Sequence, residues 1–543
     1  MTLEREVKLG AEADFVLPDL TGVLPGAVVS VEAPRRLRAT YWDTADLRLA
    51  RAGITVRHRA GEGAEGATEL SRDEPPGGGG WTVKLPAGDN RPGGLMSRRE
   101  VEFDGPPDAV PGPVAGFVRA HVRSTPLVAV ARLTTRRVSL DLRGPTGAPL
   151  AQVDDDTVTV DEVIGDGDGG RPAYFREIEV ELGPDASEEV ARAVVDRLVK
   201  AGATRTNPVP KALRALGPAA LEAPKVGVVA VSPAGPGARP GKTAGPGGRH
   251  REPVSGGVLV RSALAAGTSR LVGHDPGVRL GDDPEDVHQA RVATRRLRSD
   301  LATFSDLVDS DWSRHLRNEL AWLGDVLGAV RDADVLLDRL RTDARLLPEV
   351  DYQPAANLLE VLRADRTEAQ GALADVLDSN RYFALIDALV DSANTPRLTP
   401  LAETPADQLA PVLVGAAWDR LAGAIDQLVD PPSDEALHQV RIKAKRCRYA
   451  AEAVAPVARK PAGRLARRVA DLQTVLGDLH DAVVAESRLR EMLRPPGAAL
   501  SPEQAAVAGA LMETQRRRAV DRRRRWHKAW RKASKSKVHS WLR

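Results

Sequence analysis

The sequence predicts an α+β multidomain chain: an amino-terminal antiparallel β-barrel closed around a charged interior, followed by an all-α carboxyl-terminal part built from a duplicated helical unit. Three observations carry this. Apolar residues alternate with period two before about residue 217 and follow a helical period after about residue 257. Several strands sort their charges onto one face. Two blocks of the second half recur at an offset of about 150 residues.

The 543 residues, 42% hydrophobic and 28% charged, suit a soluble chain of two or more domains. No apolar run reaches the length of a membrane span, so no membrane partner is expected. Met1-Thr2-Leu3-Glu4-Arg5-Glu6 lacks the apolar stretch of an export signal, and Cys447 is the single cysteine. A reduced, cytoplasmic protein is expected. The near balance of 77 basic and 75 acidic residues hides a tilt: residues 516–543 hold 13 basic residues against the single Asp521. Three regions follow: residues 1–217, a Pro/Gly-rich linker at 218–256 that resists helix and strand, and residues 257–543.

Strands are expected at Leu3–Leu9, Leu37–Trp42, Gly53–Arg59, Trp81–Leu85, Arg98–Phe103, Val128–Leu142, Leu150–Val160 and Tyr174–Leu182, and a helix at Ser187–Ala201 with Ser187 as N-cap. Alternation puts Glu4, Glu6 and Lys8 on one face, Arg57 and Arg59 on another, and Glu177, Glu179 and Glu181 opposite Arg176, Ile178, Val180 and Leu182. In the paired segments Arg136-Arg137 and Asp154-Asp155-Asp156, parity favours Arg137, Asp154 and Asp156. A solvated outer face explains any one such strand. Sorting across five strands points instead to a charged lumen, with carboxylates spaced to hold Mg²⁺ or Mn²⁺ and guanidinium groups to hold phosphate oxygens.

Glu4-x-Glu6-x-Lys8 resembles the ExExK signature of the CYTH proteins, or triphosphate tunnel metalloenzymes. Tyr41-Trp42-Asp43-Thr44, Gly53–Arg59, Trp81-Thr82-Val83-Lys84-Leu85-Pro86, Glu177–Glu181 and Pro210–Leu216 resemble further family segments in the same order. The resemblance covers residues 1–217 and implies a tunnel of about eight strands. It implies metal ligation by Glu4, Glu6, Asp156, Glu177, Glu179 and Glu181, and triphosphate binding by Arg57, Arg59, Lys84, Arg137 and Lys211. Lys8, with Glu4 and Glu6, would stand at the reacting phosphorus.

In the helical part, Val287–Arg298 matches Leu437–Arg448, and Leu327–Ala333 matches Leu476–Ala482. Each unit has room for about four helices. His288, Arg291, Arg295 and Arg298 form one helical stripe; His438, Arg441, Lys445 and Arg448 form its counterpart, with Arg296 and Arg446 beside them. Asp283 or Asp286 would cap the first helix, and Ser433 or Asp434 the second. A solvated, salt-bridged face explains one stripe; its duplication favours a shared basic groove. The pattern H-x-x-R-x-x-x-[RK]-R-x-R followed by L-G-x-x-x-D resembles the CHAD domain, which implies binding of inorganic polyphosphate over residues 257–540. Together these readings lead to a metal-dependent hydrolase of inorganic triphosphate, or another triphosphorylated small molecule, joined to a polyphosphate-binding module. A non-catalytic scaffold at polyphosphate granules and a nucleotidyl cyclase are the alternatives; nucleic acid is not expected as a partner.

Overall fold

Strand β1 (Thr2–Ala11) sends Glu4, Glu6 and Lys8 to one face and Val7 and Leu9 to the other, so one face is ionic and one apolar. The same division runs through β4 (Thr55–Arg59), β6 (Gly80–Pro86), β7 (Met96–Phe103), β8 (Val128–Arg143), β9 (Pro149–Val163) and β10 (Tyr174–Leu182), whereas β3 (Arg35–Asp43) turns Leu37, Ala39 and Tyr41 to the lumen and Arg36 and Arg38 to the other face. These eight strands pair antiparallel in the order β8–β9–β10–β1–β7–β6–β4–β3, and β3 pairs back onto β8. Closure leaves no free edge along the ring and wraps the ionic faces around a lumen. The eight segments expected from the sequence are the eight that close the barrel, with ends moved by at most three residues. A ninth strand the sequence did not signal, β2 (Val28–Val31), pairs with the far half of β8, and the two-residue strands β5 (Gly63–Ala64) and β11 (Thr204–Arg205) pair antiparallel with β3 and β1.

The computed structural model describes residues 2–60, 63–64, 80–87, 95–163, 173–206, 209–222, 254–494 and 500–543. Most of the expected linker, residues 223–253, lies outside the described residues. Its first residues do not behave as linker: Pro218–Leu221 form a 3₁₀ turn with Ala220 buried. The chain divides into two units, Met1–Lys225 and Val226–Arg543.

Outside the barrel, Val7, Leu9, Val153, Ile178 and Val180 form one core with Val194, Val195 and Leu198 of α4 (Glu188–Lys200). Ser187 holds the N-cap position of α4, though its side chain makes no capping bond. Short helices α1 (Arg48–Arg51), α2 (Gly112–Phe117) and α3 (Arg119–Val122) fill connections. Helix α5 (Lys211–Leu216) buries Ala212, Leu213 and Leu216 against Leu133, Val158 and Phe175, which leaves Lys211 at the lumen.

The second unit is helical: α6 (Gly256–Leu280), α7 (Pro284–Thr303), α8 (Ser310–Ala344), α9 (Tyr352–Leu377), α10 (Asn380–Asn394), α11 (Ala406–Asp426), α12 (Asp434–Ala453), α13 (Ala455–Met492), α14 (Pro502–Ala533) and α15 (Ser536–His539). The repeat pairs α7 with α12 and α8 with α13, and successive helices α6 to α9 and α11 to α14 pack in sequence. Leu337, Leu340, Leu358, Leu362, Leu489 and Leu511 make a core common to both repeats. Asp283 caps α7 by accepting from the Glu285 N–H, and Ser433 caps α12 by accepting from the Ala436 N–H.

Candidate functional site

The barrel has an acidic side and a basic side. Strands β9, β10 and β1 are consecutive and carry Asp154, Asp156, Glu177, Glu179, Glu181, Glu4 and Glu6. Strands β7, β6 and β4 follow with Arg98, Lys84, Arg57 and Arg59, interrupted by Glu100. The lumen encloses a cavity of about 190 Å³ lined by most of these groups together with Lys8, Tyr41, Arg137 and Lys211. Parity resolves the adjacent doublets as expected. Arg137 points inward to Asp154 (2.6 Å) and Asp156 (2.6 Å), whereas Asp155 points outward to Arg176 (2.6 Å).

Every expected tunnel residue lies at or beside this lumen, and most are ion-paired. Lys211 Nζ reaches Asp156 (2.8 Å), Glu177 (2.9 Å) and Glu179 (2.7 Å). Lys8 bonds Glu179 and lies 3.4 Å from Glu6 and 3.7 Å from Glu177. Lys84 bridges Glu4 (2.6 Å) and Glu100 (3.2 Å), and Arg57 lies 3.5 Å from Glu100. Burial opposes ionisation of Asp156, but Lys211 and Arg137 outweigh it and hold the carboxyl well below the usual range. Burial, with Arg57 next, lowers Lys84.

Glu181 is the exception. It stands opposite Glu6 in register and has no ion-pair partner among the described residues. Burial, then the charge of Glu4, pushes its carboxyl up to about 7. Among the described residues no three His, Cys, Asp or Glu side chains are already gathered around a cation position. Glu4, Glu6 and Glu181 nonetheless share one electrostatic neighbourhood, and carboxylate oxygens are the donor type that a hard divalent cation takes.

Arg98 and Glu100 are lumen residues without a signal in the sequence, and Tyr41, which the sequence marks only as part of a family segment, also lines the lumen. Arg98, 3% exposed, donates to the carbonyls of Gly53 and Lys84. Arg98 and Glu100 share one face of β7, but the charged Arg99 between them removes the contrast that alternation would need. Burial works against ionisation of Tyr41, yet the field of Arg57 and Lys211 lowers its pKa.

In the helical unit, α7 and α12 lie side by side and bring Arg291, Arg295, Arg441 and Lys445 within one electrostatic neighbourhood. Burial, then Arg441, Arg295 and Arg291, drive Lys445 down to about 7. His438 Nδ1 lies 3.1 Å from Nδ1 of His480, and burial with Arg441 lowers His480 to about 4. Arg291 pairs with Asp332 (2.6 Å), Arg295 donates to Tyr449 (2.8 Å), and Arg441 lies 4.0 Å from Asp481. His288 borders the cluster, where Arg331 and Arg295 depress it after burial. The other stripe residues are placed differently. Arg296 and Arg448 share Glu452 at 2.6 and 3.2 Å, and Arg298 and Arg446 are exposed. Arg331 and His480 were missed, although both sit at equivalent positions in the second repeated block. Cys447 is buried.

An antiparallel tunnel with an ionic lumen, followed by a duplicated helical unit with a basic seam, defines a CYTH-type tunnel joined to a CHAD domain. The CHAD domain family model matches residues 262–490. Uncharacterized protein Rv2226 of Mycobacterium tuberculosis is 33% identical over 508 residues, which cover 90% of this chain and 88% of that protein. The chain belongs to the family of that protein. Among solved structures, PptA from Streptomyces chartreusis is 28% identical, with a TM-score of 0.43 over 52% of this chain and all of that one. The CHAD domain from the plant Ricinus communis is 25% identical, with a TM-score of 0.40 over 53% of this chain and 92% of that one. No helix among the described residues is long and apolar enough to cross a membrane.

Proposed function

We propose that the tunnel hydrolyses inorganic triphosphate, or another triphosphorylated small molecule, with Mg²⁺ or Mn²⁺, and that the helical unit holds inorganic polyphosphate. The observation that carries the tunnel reading is the division of one closed lumen into an acidic side and a basic side. Arg57, Arg59, Lys84, Arg98, Arg137 and Lys211 offer donors to phosphate oxygens, and guanidinium forks suit them geometrically. Glu4, Glu6 and Glu181 would hold the divalent cation, which supplies charge neutralisation at the reacting phosphoryl group.

In this reading the lumen's internal ion pairs exchange rather than break. Phosphate oxygens would draw Lys84 from Glu4 and Glu100, which would leave Glu4 available to hold the cation. Lys8, held among Glu6, Glu177 and Glu179, stays fixed and faces the phosphorus with a charge that is already desolvated. The barrel wall keeps bulk water away and strengthens each of these contacts.

The test is phosphate release from triphosphate with Mg²⁺ or Mn²⁺, repeated after the double change Glu4→Gln and Glu6→Gln. Loss of turnover in the double variant is expected; unchanged turnover rejects the enzyme. Metal-dependent triphosphate binding with no phosphate released identifies a scaffold, and a cyclic product from ATP identifies a cyclase. For the helical unit, Arg291, Arg295, Arg441 and Lys445 changed together to Glu should abolish polyphosphate binding. That binding should also weaken steeply with salt, because a cationic groove releases counterions from a dense polyanion.

A further inference from the structure

Helix α14 changes character along its length. In its first part each arginine meets an acid: Arg516 reaches Glu486 (2.9 Å), Arg518 reaches Asp343, Arg522 reaches Asp478 (3.2 Å) and Arg523 reaches Asp434 (2.6 Å). These pairs tie α14 to α13, α8 and α12. Beyond Asp521 the chain has ten basic residues and no acidic one up to Arg543.

The far part of α14 packs beside the near part of α13, and there Arg464 donates to the carbonyl of Lys537 (3.1 Å). Residues 459–470 of α13 hold five basic residues and again no acid. Two segments more than fifty residues apart thus form one exposed cationic plate that includes Lys460, Arg464, Arg467, Lys528, Arg531 and Lys532. Like charges three and four apart on a helix repel, and no acid within the plate offsets them.

We infer that the outer face of α13 and α14 is a second polyanion site, along which a long polyphosphate chain continues after it leaves the groove. The inference rests on the reading of the groove as a polyphosphate site. Arg467 lies thirteen residues before His480 on α13, so the plate begins about 20 Å along that helix from the groove. A short chain fills the groove without reaching it; a long one engages both and gains effective concentration. The chemistry on offer reads phosphate alone. Neither basic segment contains Asn or Gln for base edges. Trp526 is buried, Trp530 stacks on Trp418 and His527 stacks on Trp526, so these three rings of α14 are already engaged.

The test uses the full chain and the variant Lys460→Glu, Arg467→Glu, Lys528→Glu, Lys532→Glu, with folding checked by circular dichroism. Affinity is measured for polyphosphate of about 10 and about 100 units across a salt series. Expected is about tenfold weaker long-chain binding with a shallower salt slope, and unchanged short-chain binding. Unchanged long-chain affinity overturns the plate while leaving the groove. Loss confined to duplex DNA, with polyphosphate unaffected, overturns it in favour of nucleic acid. Equal losses for both lengths overturn it as a separate site. A native chain that binds neither length refutes the groove reading itself.

Discussion

The guanidinium of Arg291 lies across Gly328 of the neighbouring helix, so close that a Cβ at 328 would stand 3.4 Å from its NH2 nitrogen. The second repeat reproduces the arrangement, with Arg441 Nε 3.6 Å from the Cβ position of Gly477. This gives the repeated Leu-Gly-x-x-x-Asp block a physical reason: glycine makes the seat, and Asp332 or Asp481 one turn on orients the guanidinium. Because 3.4 Å is ordinary contact, Gly328→Ala should raise stability by about 1 kcal/mol through helix propensity and leave polyphosphate affinity unchanged. Gly328→Leu should push Arg291 away and weaken binding about tenfold with little change in melting temperature. Thermal melts and a polyphosphate titration of both variants check the pair.

Lys445 makes the groove sensitive to pH. With its pKa lowered to about 7, it is charged below that pH and neutral above it. A polyanion favours the charged form, so binding at pH 8 should take up a proton and affinity should fall between pH 6 and pH 9. Arginine stays charged across that range, and Lys445→Arg should flatten the profile. Calorimetry in buffers of different ionisation enthalpy measures the proton directly.

Much of the tunnel was legible because period-two alternation is a local signal. In Glu177-Ile178-Glu179-Val180-Glu181 the alternating residues are of opposite character, and the structure turns them to opposite faces. Ser97-Arg98-Arg99-Glu100 gives no such contrast, so Arg98 and Glu100 stayed hidden until closure showed which side was lumen. Strand β2 was equally silent, since Val28, Ser30 and Val31 are exposed on the end of β8 and bury no alternating face. The ion pairs of Lys211 depend on α5 docking against β8 and β9, a contact far apart in sequence that no local pattern encodes. Arg331 and His480 were visible as a repeat but carried different residue types, and only shared placement beside α7 and α12 reveals their kinship.

Asp300 offers a stability test on the buried side of α7. Its carboxyl is buried on α7, neither oxygen has a hydrogen-bond partner among the described residues, and Arg296 is 3.8 Å away. Burial raises its pKa from 3.8 to about 7. The folded state therefore keeps a proton that the unfolded chain releases from about pH 4. Stability from this group is present at low pH and is lost as pH rises to 7, by about 4 kcal/mol in all. Asp300→Asn should raise the melting temperature by several degrees at pH 8 and by less than half as much at pH 5. An equal shift at both pH values would place the effect in packing rather than charge.

The tunnel's cations make the metal reading testable through folding as well as turnover. Lys211 sits within 2.9 Å of Asp156, Glu177 and Glu179, and Lys8 and Arg137 share those carboxylates. Removing one partner from a buried ionic cluster costs about 3–5 kcal/mol, because the remaining charges have lost both water and counter-charge. Lys211→Ala should therefore melt well below the native chain in EDTA. A divalent cation entering the acidic side replaces part of the missing charge, so Mg²⁺ or Mn²⁺ should restore some of that loss and stabilise the variant more than the native chain. Melting curves of both proteins, with EDTA and with each metal, read this without any assay of hydrolysis. A variant that melts low and ignores both metals would mean that Asp156, Glu177 and Glu179 hold lysine and arginine only.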